Sequence, residues 1–368
     1  MKKKKIFICC TEQSGENICF NILSKLNLNN IDVDGVCGKR SEKFIKKKFY
    51  DISDFKSIGL IEIILSLPKY IKMIRHLKRQ IFKNNYDLLI CIDSPDFNYL
   101  LVKSLRKINY SKKILQIVAP SVWAWRENRA RKFAKLYDEI FLLFEFEKKY
   151  FQYKNFITTF IGHPVFHIKK RNIKKKYKYI AFLPGSRVNE INKLFRYLNK
   201  IENYIYKNNI NLKIFIPTLP HLYDLISKKT INWKTETIIS NDFAKFDTFY
   251  DDVFISITCS GTASLEIAKR NIPQIVIYKL NFITELILKL FVKVKYACLL
   301  NIISNKMIIP EVVNSNLNNK KLINAFEKLL KNEHLREEQI KNINYFIPLI
   351  ESNKSPYDIS AKRILNII

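Results

Sequence analysis

The chain has 368 residues, 48% of them hydrophobic, and its 64 lysines and arginines against 33 acids give a net charge of +31. That length suggests two domains, and the apolar share is enough for two cores, which excludes a disordered chain. No run reaches the ~18 uninterrupted apolar residues of a membrane-spanning helix, and the stretch from Ile6 to Cys10 after the leading lysines is too short for a signal-peptide core, so no export is read.

In chain order, strands are predicted near 5–10, 32–36, 86–92, 113–118 and 139–143, with helical stretches between them. A second series follows near 179–183, 212–216, 236–240, 253–257 and 274–278. Alternation of this kind predicts an α/β chain with two parallel sheets. The charged stretch from His167 to Lys176 has no apolar face and reads as the linker, giving domains 1–166 and 167–345. Whether the C-terminal stretch 346–368, with a helix near 357–367, packs back on the first domain is left open. Ligands of open parallel sheets bind beyond the carboxyl ends of the strands. Two such domains facing each other across a cleft would gather those ends as a two-substrate transferase requires.

Only seven glycines occur, and Gly15, Gly185 and Gly261 each stand beside a serine between a strand-like and a helix-like run. Ser14-Gly15, Gly185-Ser186 and Ser260-Gly261-Thr262 therefore mark helix starts, where free N–H groups and the helix dipole suit a phosphate; each is equally an ordinary helix cap. None has the spacing of a Walker loop or a dinucleotide fingerprint, which disfavours a nucleoside triphosphatase or a dehydrogenase.

Asp96 falls in the first turn after Pro95, at the open end of the sheet, where a carboxylate can act as a general base or merely complement the helix dipole; Asp93 or Ser94 would cap that helix. Arg187 follows the second glycine turn and is placed to clamp a phosphate, or to make a surface ion pair. Glu266, one turn beyond Thr262, shares its face and can hold ribose hydroxyls. Pro120-Ser121-Val122-Trp123-Ala124-Trp125-Arg126 sets two tryptophans beside an arginine, followed by Arg129 and Arg131; the indoles suit core packing and the arginines a phosphate.

The charge admits a membrane surface, a nucleic acid or a phosphorylated substrate as partner, although lysine recurs in every segment and much of it is solvated surface. Two amphipathic stretches, 58–68 with the basic flank Lys69 to Arg79, and 282–294, suit either a core or an anionic bilayer; one of them is expected to lie at the membrane interface. The seven cysteines, mostly in apolar runs, lack metal-ligand or disulfide spacing and fit a reducing cytosol.

Taken together and in order, these motifs resemble the lipid A disaccharide synthases, inverting glycosyltransferases of the two-domain GT-B type. The resemblance runs through Glu12-Gln13-Ser14-Gly15-Glu16, Ile92-Asp93-Ser94-Pro95-Asp96-Phe97-Asn98, the Trp123-Ala124-Trp125-Arg126 run, Ile161-Gly162-His163-Pro164, Leu183-Pro184-Gly185-Ser186-Arg187, Ser260 to Glu266, and Pro310-Glu311. Departures are Glu16 for Asp, Cys37-Gly38 for Gly-Gly, Glu145-Phe146-Glu147 for Pro-Phe-Glu, and Asn314 for Gln.

The resemblance implies transfer of 2,3-diacylglucosamine from its UDP derivative to 2,3-diacylglucosamine 1-phosphate, at the cytosolic face of an inner membrane, with no cofactor, metal or nucleic acid. It implies Asp96 as base; Ser14, Gly15, Gly185, Ser186, Arg187, Ser260, Gly261, Thr262, Glu266, Asn301, Glu311 and Asn314 around the UDP-sugar; and Trp125, Arg126 and Arg129 at the acceptor. The alternatives are another GT-B enzyme of UDP-sugars, or a basic protein that binds nucleic acid or a membrane surface.

Overall fold

A computed structural model describes residues 3–55, 60–171, 176–281, 285 and 294–368, with the backbone alone for 60–66. The chain forms two compact units, Met1–Phe166 with Leu349–Ile368, and His167–Pro348.

In the first unit, continuous apolar runs become strands buried on both faces, as parallel sheets require. Its strands are β1 (Lys4–Cys10), β2 (Ile31–Cys37), β3 (Lys47–Asp51), β4 (Leu88–Ile92), β5 (Lys113–Ile117), β6 (Glu139–Leu142) and β7 (Ile157–Phe160). They lie in the order β3-β2-β1-β4-β5-β6-β7, every neighbour parallel. The helices are α1 (Gln13–Leu23), α2 (Leu60–Asn84), α3 (Pro95–Arg106) and α4 (Arg129–Ala134). Strand side chains alternate between faces: Phe7 and Cys9 of β1 pack with Leu77 and Ile81 of α2, Leu101 of α3 and Phe133 of α4. Ile6, Ile8 and Cys10 meet Ile18 and Ile22 of α1 on the other face. Close pairing of β1 and β2 leaves no room for a side chain at Gly35, where a Cβ would stand 2.0 Å from the Ile8 carbonyl oxygen.

The second unit repeats the plan with β8 (Tyr179–Leu183), β9 (Lys213–Pro217), β10 (Thr237–Ser240), β11 (Val253–Cys259), β12 (Gln274–Tyr278) and β13 (Glu311–Val313), in the order β10-β9-β8-β11-β12-β13 and again parallel. Its helices are α5 (Val188–Lys207), α6 (Tyr223–Thr230), α7 (Phe246–Asp251), α8 (Thr262–Lys269), α9 (Leu299–Ser304), α10 (Asn319–Lys331) and α11 (Glu333–Phe346). Ile180 and Phe182 pack with α5 and α10 on one face, while Ala181 and Leu183 pack with Tyr250 of α7 and Ile267 of α8 on the other. A last helix, α12 (Pro356–Ile367), lays Ala361 and Ile364 into the α1 side of the first unit's core. Its Arg363 closes a two-pronged pair on Glu139 at 2.8 and 3.0 Å.

Three strands escape the sequence reading: β3, β7 and β13. All lie at sheet edges, where polar or short segments such as Lys47-Lys48-Phe49-Tyr50-Asp51 lack the continuous apolar signature of a central strand. Of the stretch read as linker, 172–175 lies outside the described residues, and Arg171 is not a solvated charge: it is 9% exposed and donates to the carbonyls of Asn271 and Val253. The amphipathic stretch 282–294 lies outside the described residues except for Glu285 and Val294. Residues 58–59 of the other stretch lie outside as well. No helix among the described residues is long and apolar enough to cross a membrane, and all seven cysteines are buried and free.

Candidate functional site

The first unit changes its winding direction between β1 and β4, so the carboxyl ends of these neighbours open a crevice. There α1 begins so close to β4 that a Cβ on Gly15 would stand 3.1 Å from both Asp93 Cβ and the Ile92 carbonyl oxygen. The exposed Ser14 donates its hydroxyl to Asp93 Oδ2 at 2.5 Å, tying the two strand ends together. Asp93 (φ 54°) and Ser94 (φ 45°) are both left-handed, a conformation that costs non-glycine residues about 1–3 kcal/mol each and persists only where the surroundings over-determine it. Here they do. The Asp93 carbonyl accepts from Asn98 Nδ2 at 2.8 Å and from Gln116 Nε2 at 3.1 Å, and its amide donates to the Ile117 carbonyl at 2.9 Å.

The expectation that Asp93 or Ser94 caps α3 is thereby corrected. Ser94 is the N-cap residue but makes no side-chain cap bond, because a left-handed backbone replaces the extended one that turns a cap oxygen onto the helix amides. The Asp93 carboxylate is engaged by Ser14 instead. Left-handed geometry at two successive L-residues leaves no mark in a motif, so the sequence offered Asp93 only as a helix cap.

Pro95 opens α3 and places Asp96 in its first turn. The Asp96 side chain is 77% exposed, and its Oδ1 accepts from Arg129 Nη2 at 2.8 Å; Arg129 itself is 14% exposed. Trp125 is half-buried beneath the exposed Arg126, whose guanidinium carbon sits 4.0 Å from the indole centroid.

Trp123 of the same run donates its indole N–H to Glu147 at 3.1 Å, and the amides of Leu143 and Phe144 reach the other oxygen. Burial pushes the Glu147 carboxyl up to about 7, against the pull of these three donors. A folded value above the unfolded one means a contribution to stability that is complete below about 4.5 and lost as pH rises through about 7. Glu147→Gln is expected to flatten that fall when melting temperatures are measured from pH 4.5 to 8; a slope equal to that of the parent chain would assign the titration elsewhere.

The second unit changes direction between β8 and β11. The turn after β8 holds Gly185 at φ 108° and leads through the exposed Ser186 into α5, with Arg187 as its N-cap residue. The Arg187 side chain is 72% exposed and pairs with Glu190 Oε1 at 2.9 Å. The turn after β11 holds Gly261 at φ 135°, and nothing lies within 4 Å of where its side chain would begin. A glycine with open space above it, at the start of α8, leaves the backbone accessible to a ligand. Ser260 Oγ donates to the Ala297 carbonyl at 2.8 Å, whereas Thr262 is exposed. Burial raises the carboxyl of Glu266 above its ordinary value, and the neighbouring Arg270 lowers it in part.

Asn301 and Glu311 form an internal clasp. Asn301 is fully buried, its Nδ2 donating to the Ile309 carbonyl and Glu311 Oε1 at 2.7 Å each, its Oδ1 accepting from the amides of Ile308 and Ile309. With four bonds its side-chain amide is saturated, and it positions Glu311. Glu311 in turn accepts from the amides of Ala297 and Cys298 at 2.8 and 2.9 Å, ahead of α9. Asn314 is left-handed at φ 53° and its Oδ1 accepts from the Leu280 amide at 3.1 Å.

A family model described as lipid-A-disaccharide synthetase matches residues 6–365. The lipid-A-disaccharide synthase of Rickettsia prowazekii is 34% identical over 378 residues, covering 98% of each chain. Among solved structures, MurG of Acinetobacter baumannii superposes with a TM-score of 0.60 at 11% identity, covering 99% of each chain. The UDP-GlcNAc 2-epimerase of Neisseria meningitidis, bound to UDP-GlcNAc, gives 0.59 at 13% identity and covers 99% of this chain and 98% of that one. Likeness at such low identity concerns the fold, which is GT-B, with two Rossmann-like domains.

Proposed function

The chain belongs to the lipid-A-disaccharide synthetase family and is a glycosyltransferase of lipid A disaccharide synthesis; from that premise we propose that it joins 2,3-diacylglucosamine, carried on UDP, to 2,3-diacylglucosamine 1-phosphate through a β-1,6 bond and releases UDP. The observation that carries the reading is the second switch point, where open space over Gly261 adjoins the turn of Gly185 and the exposed Arg187. Two helix starts and a guanidinium are what a departing diphosphate needs.

The second unit takes the donor. Its diphosphate meets the amides at Gly185, Ser186, Gly261 and Thr262 together with Arg187, while Glu266 holds the ribose. Glu311, set by Asn301, shapes with Asn314 and Ser260 the wall beside the nucleotide. The first unit takes the acceptor on Trp125, Arg126 and Arg129, while Ser14 and Gly15 remain assigned to the UDP-sugar. Asp96 removes the proton of the 6-hydroxyl as that oxygen attacks the anomeric carbon; the carbon–oxygen bond to the diphosphate breaks and its electron pair leaves on UDP. One displacement inverts the anomeric centre. Arg129, an acceptor contact in this reading, also holds Asp96.

A second reading makes Asp93 the base, favoured by its strained turn and by the Ser14 hydroxyl 2.5 Å from its carboxylate at the switch point itself. Incubating the purified protein with both lipids tests the function: a disaccharide 1-phosphate detected by mass supports it, and two unchanged lipids oppose it. Saturable UDP binding that excess DNA does not displace sets aside the nucleic-acid alternative.

Both substrates carry acyl chains, and α2 supplies a surface for reaching them. Leu67 and Ile71 are 45% and 46% exposed, one helical turn apart, beside the exposed Lys69, Lys72, Arg75 and Arg79. This combination suits peripheral attachment to the anionic cytoplasmic face of the inner membrane. Each apolar side chain lodged in lipid contributes about 1.5–3 kcal/mol. Leu67→Ser with Ile71→Ser is therefore expected to reduce co-sedimentation with anionic vesicles at least tenfold; equal sedimentation would remove α2 from the membrane surface.

A further inference from the structure

The carboxylate of Glu190, which the mechanism above does not use, occupies the donor's anion site. Glu190 lies in the first turn of α5. A Cβ built on Gly185 would stand only 2.7 Å from Glu190 Oε2, so the carboxylate is lodged against the glycine turn, and its Oε1 holds Arg187 Nη1 at 2.9 Å. Turn, helix start and guanidinium thus already face a negative charge, and the chain itself supplies it.

Lys193 stands near that charge, and Lys279 stands near Lys193. Lys279 is the first residue beyond β12, its Nζ held 2.6 Å from the Asn314 carbonyl oxygen. Lys193, one turn beyond Glu190 on α5, is near enough to feel both Glu190 and Lys279. Burial first, and then repulsion from Lys279, hold its amine below the ordinary value, while Glu190 acts in the opposite sense. Arg187 thus pairs with this carboxylate, Lys193 feels its charge, and Lys279 lies within electrostatic reach of Lys193.

We infer that Glu190 is an internal counter-ion that fills the diphosphate site of the empty protein and is displaced from Arg187 and the Gly185 turn when the nucleotide binds, with Lys193 and Lys279 then joining Arg187 on the phosphates. This rests on the UDP-sugar reading of the same site. Displacing Glu190 lowers the apparent affinity by the cost of breaking its contacts, as any competing closed state does. Its return helps to expel UDP after transfer. A glutamate at the third position of a helix ordinarily caps the helix start, a role that stabilises the fold and does not oppose a ligand. The two roles have opposite consequences for UDP affinity.

Calorimetric titration of the full chain with UDP, and separately with uridine, distinguishes them. Glu190→Gln keeps the side-chain shape and removes its charge. It is expected to tighten UDP binding about tenfold, the equivalent of one charge-assisted contact no longer competed for, and to leave uridine, which has no phosphate, unchanged. Lys193→Met with Lys279→Met is expected to weaken UDP by tenfold or more and again to spare uridine. Glu190→Asp withdraws the carboxylate by one methylene while keeping an acid at the helix start. It is also expected to bind UDP more tightly than the parent chain, and it stands in if the glutamine variant fails to fold.

A parent chain that binds UDP, with Glu190 variants that bind it equally or more weakly, overturns this inference alone and leaves Glu190 a helix cap. A folded parent chain that binds no UDP overturns the reading of the site and the inference with it.

Discussion

Asp96→Asn is expected to lower kcat by about 10²–10⁴-fold, the usual contribution of a positioned general base, while leaving the dissociation constant for UDP unchanged. Asparagine retains an oxygen able to accept from Arg129 Nη2, which now lies 2.8 Å from Asp96 Oδ1. The geometry of the first turn of α3 is therefore preserved and only the proton acceptor is lost. That separates chemistry from folding, because a side chain 77% exposed to solvent carries little of the core. The matching Asp93→Asn variant decides between the two carboxylates. If Asp96 is the base, Asp93→Asn affects chiefly the turn joined through Ser14; if Asp93 is the base, Asp96→Asn keeps near-normal turnover and Asp93→Asn loses it. Arg129→Met is intermediate under the first assignment, since it frees Asp96 from its anchor without removing the carboxylate.

Arg187→Met should weaken UDP binding about 10–100-fold, from the ~1.5–3 kcal/mol of a charge-assisted hydrogen bond, and should lower kcat further because charge on the diphosphate grows as it leaves. Methionine preserves the length of the side chain and removes its donors. At 72% exposure, Arg187 contributes little to packing, and its partner Glu190 lies three residues along the same helix. The melting temperature is therefore expected to move little. An unchanged UDP dissociation constant would remove Arg187 from the donor site, leaving the amides of the two glycine turns as the phosphate contacts.

The central strands and the three glycine turns were legible because each rests on a local rule: a fully buried strand is a continuous apolar run, and a tight strand-to-helix turn demands glycine. Gly185 and Gly261 do take left-handed backbone, and Gly15 stands where α1 packs too closely for a side chain. The edge strands β3, β7 and β13 were not legible, because half-exposed edges need no such pattern. Nor were the pairings that make the site. Asp96 and Arg129 are 33 residues apart and Ser14 and Asp93 are 79 apart, distances over which spacing carries no information. Asn301, Glu311 and Asn314 were placed around the UDP-sugar only by the family resemblance. That the buried Asn301 would be saturated by the 308–311 segment depends on a loop closure that composition does not encode.

The measurement that bears most directly on a single displacement by a carboxylate-activated alcohol is the anomeric configuration of the newly formed glycosidic bond, read by NMR on the disaccharide made from the UDP-linked donor. The account predicts a β bond, inverted relative to the donor. A product that retains the donor's configuration would require two displacements through a glycosyl-enzyme intermediate and would contradict it.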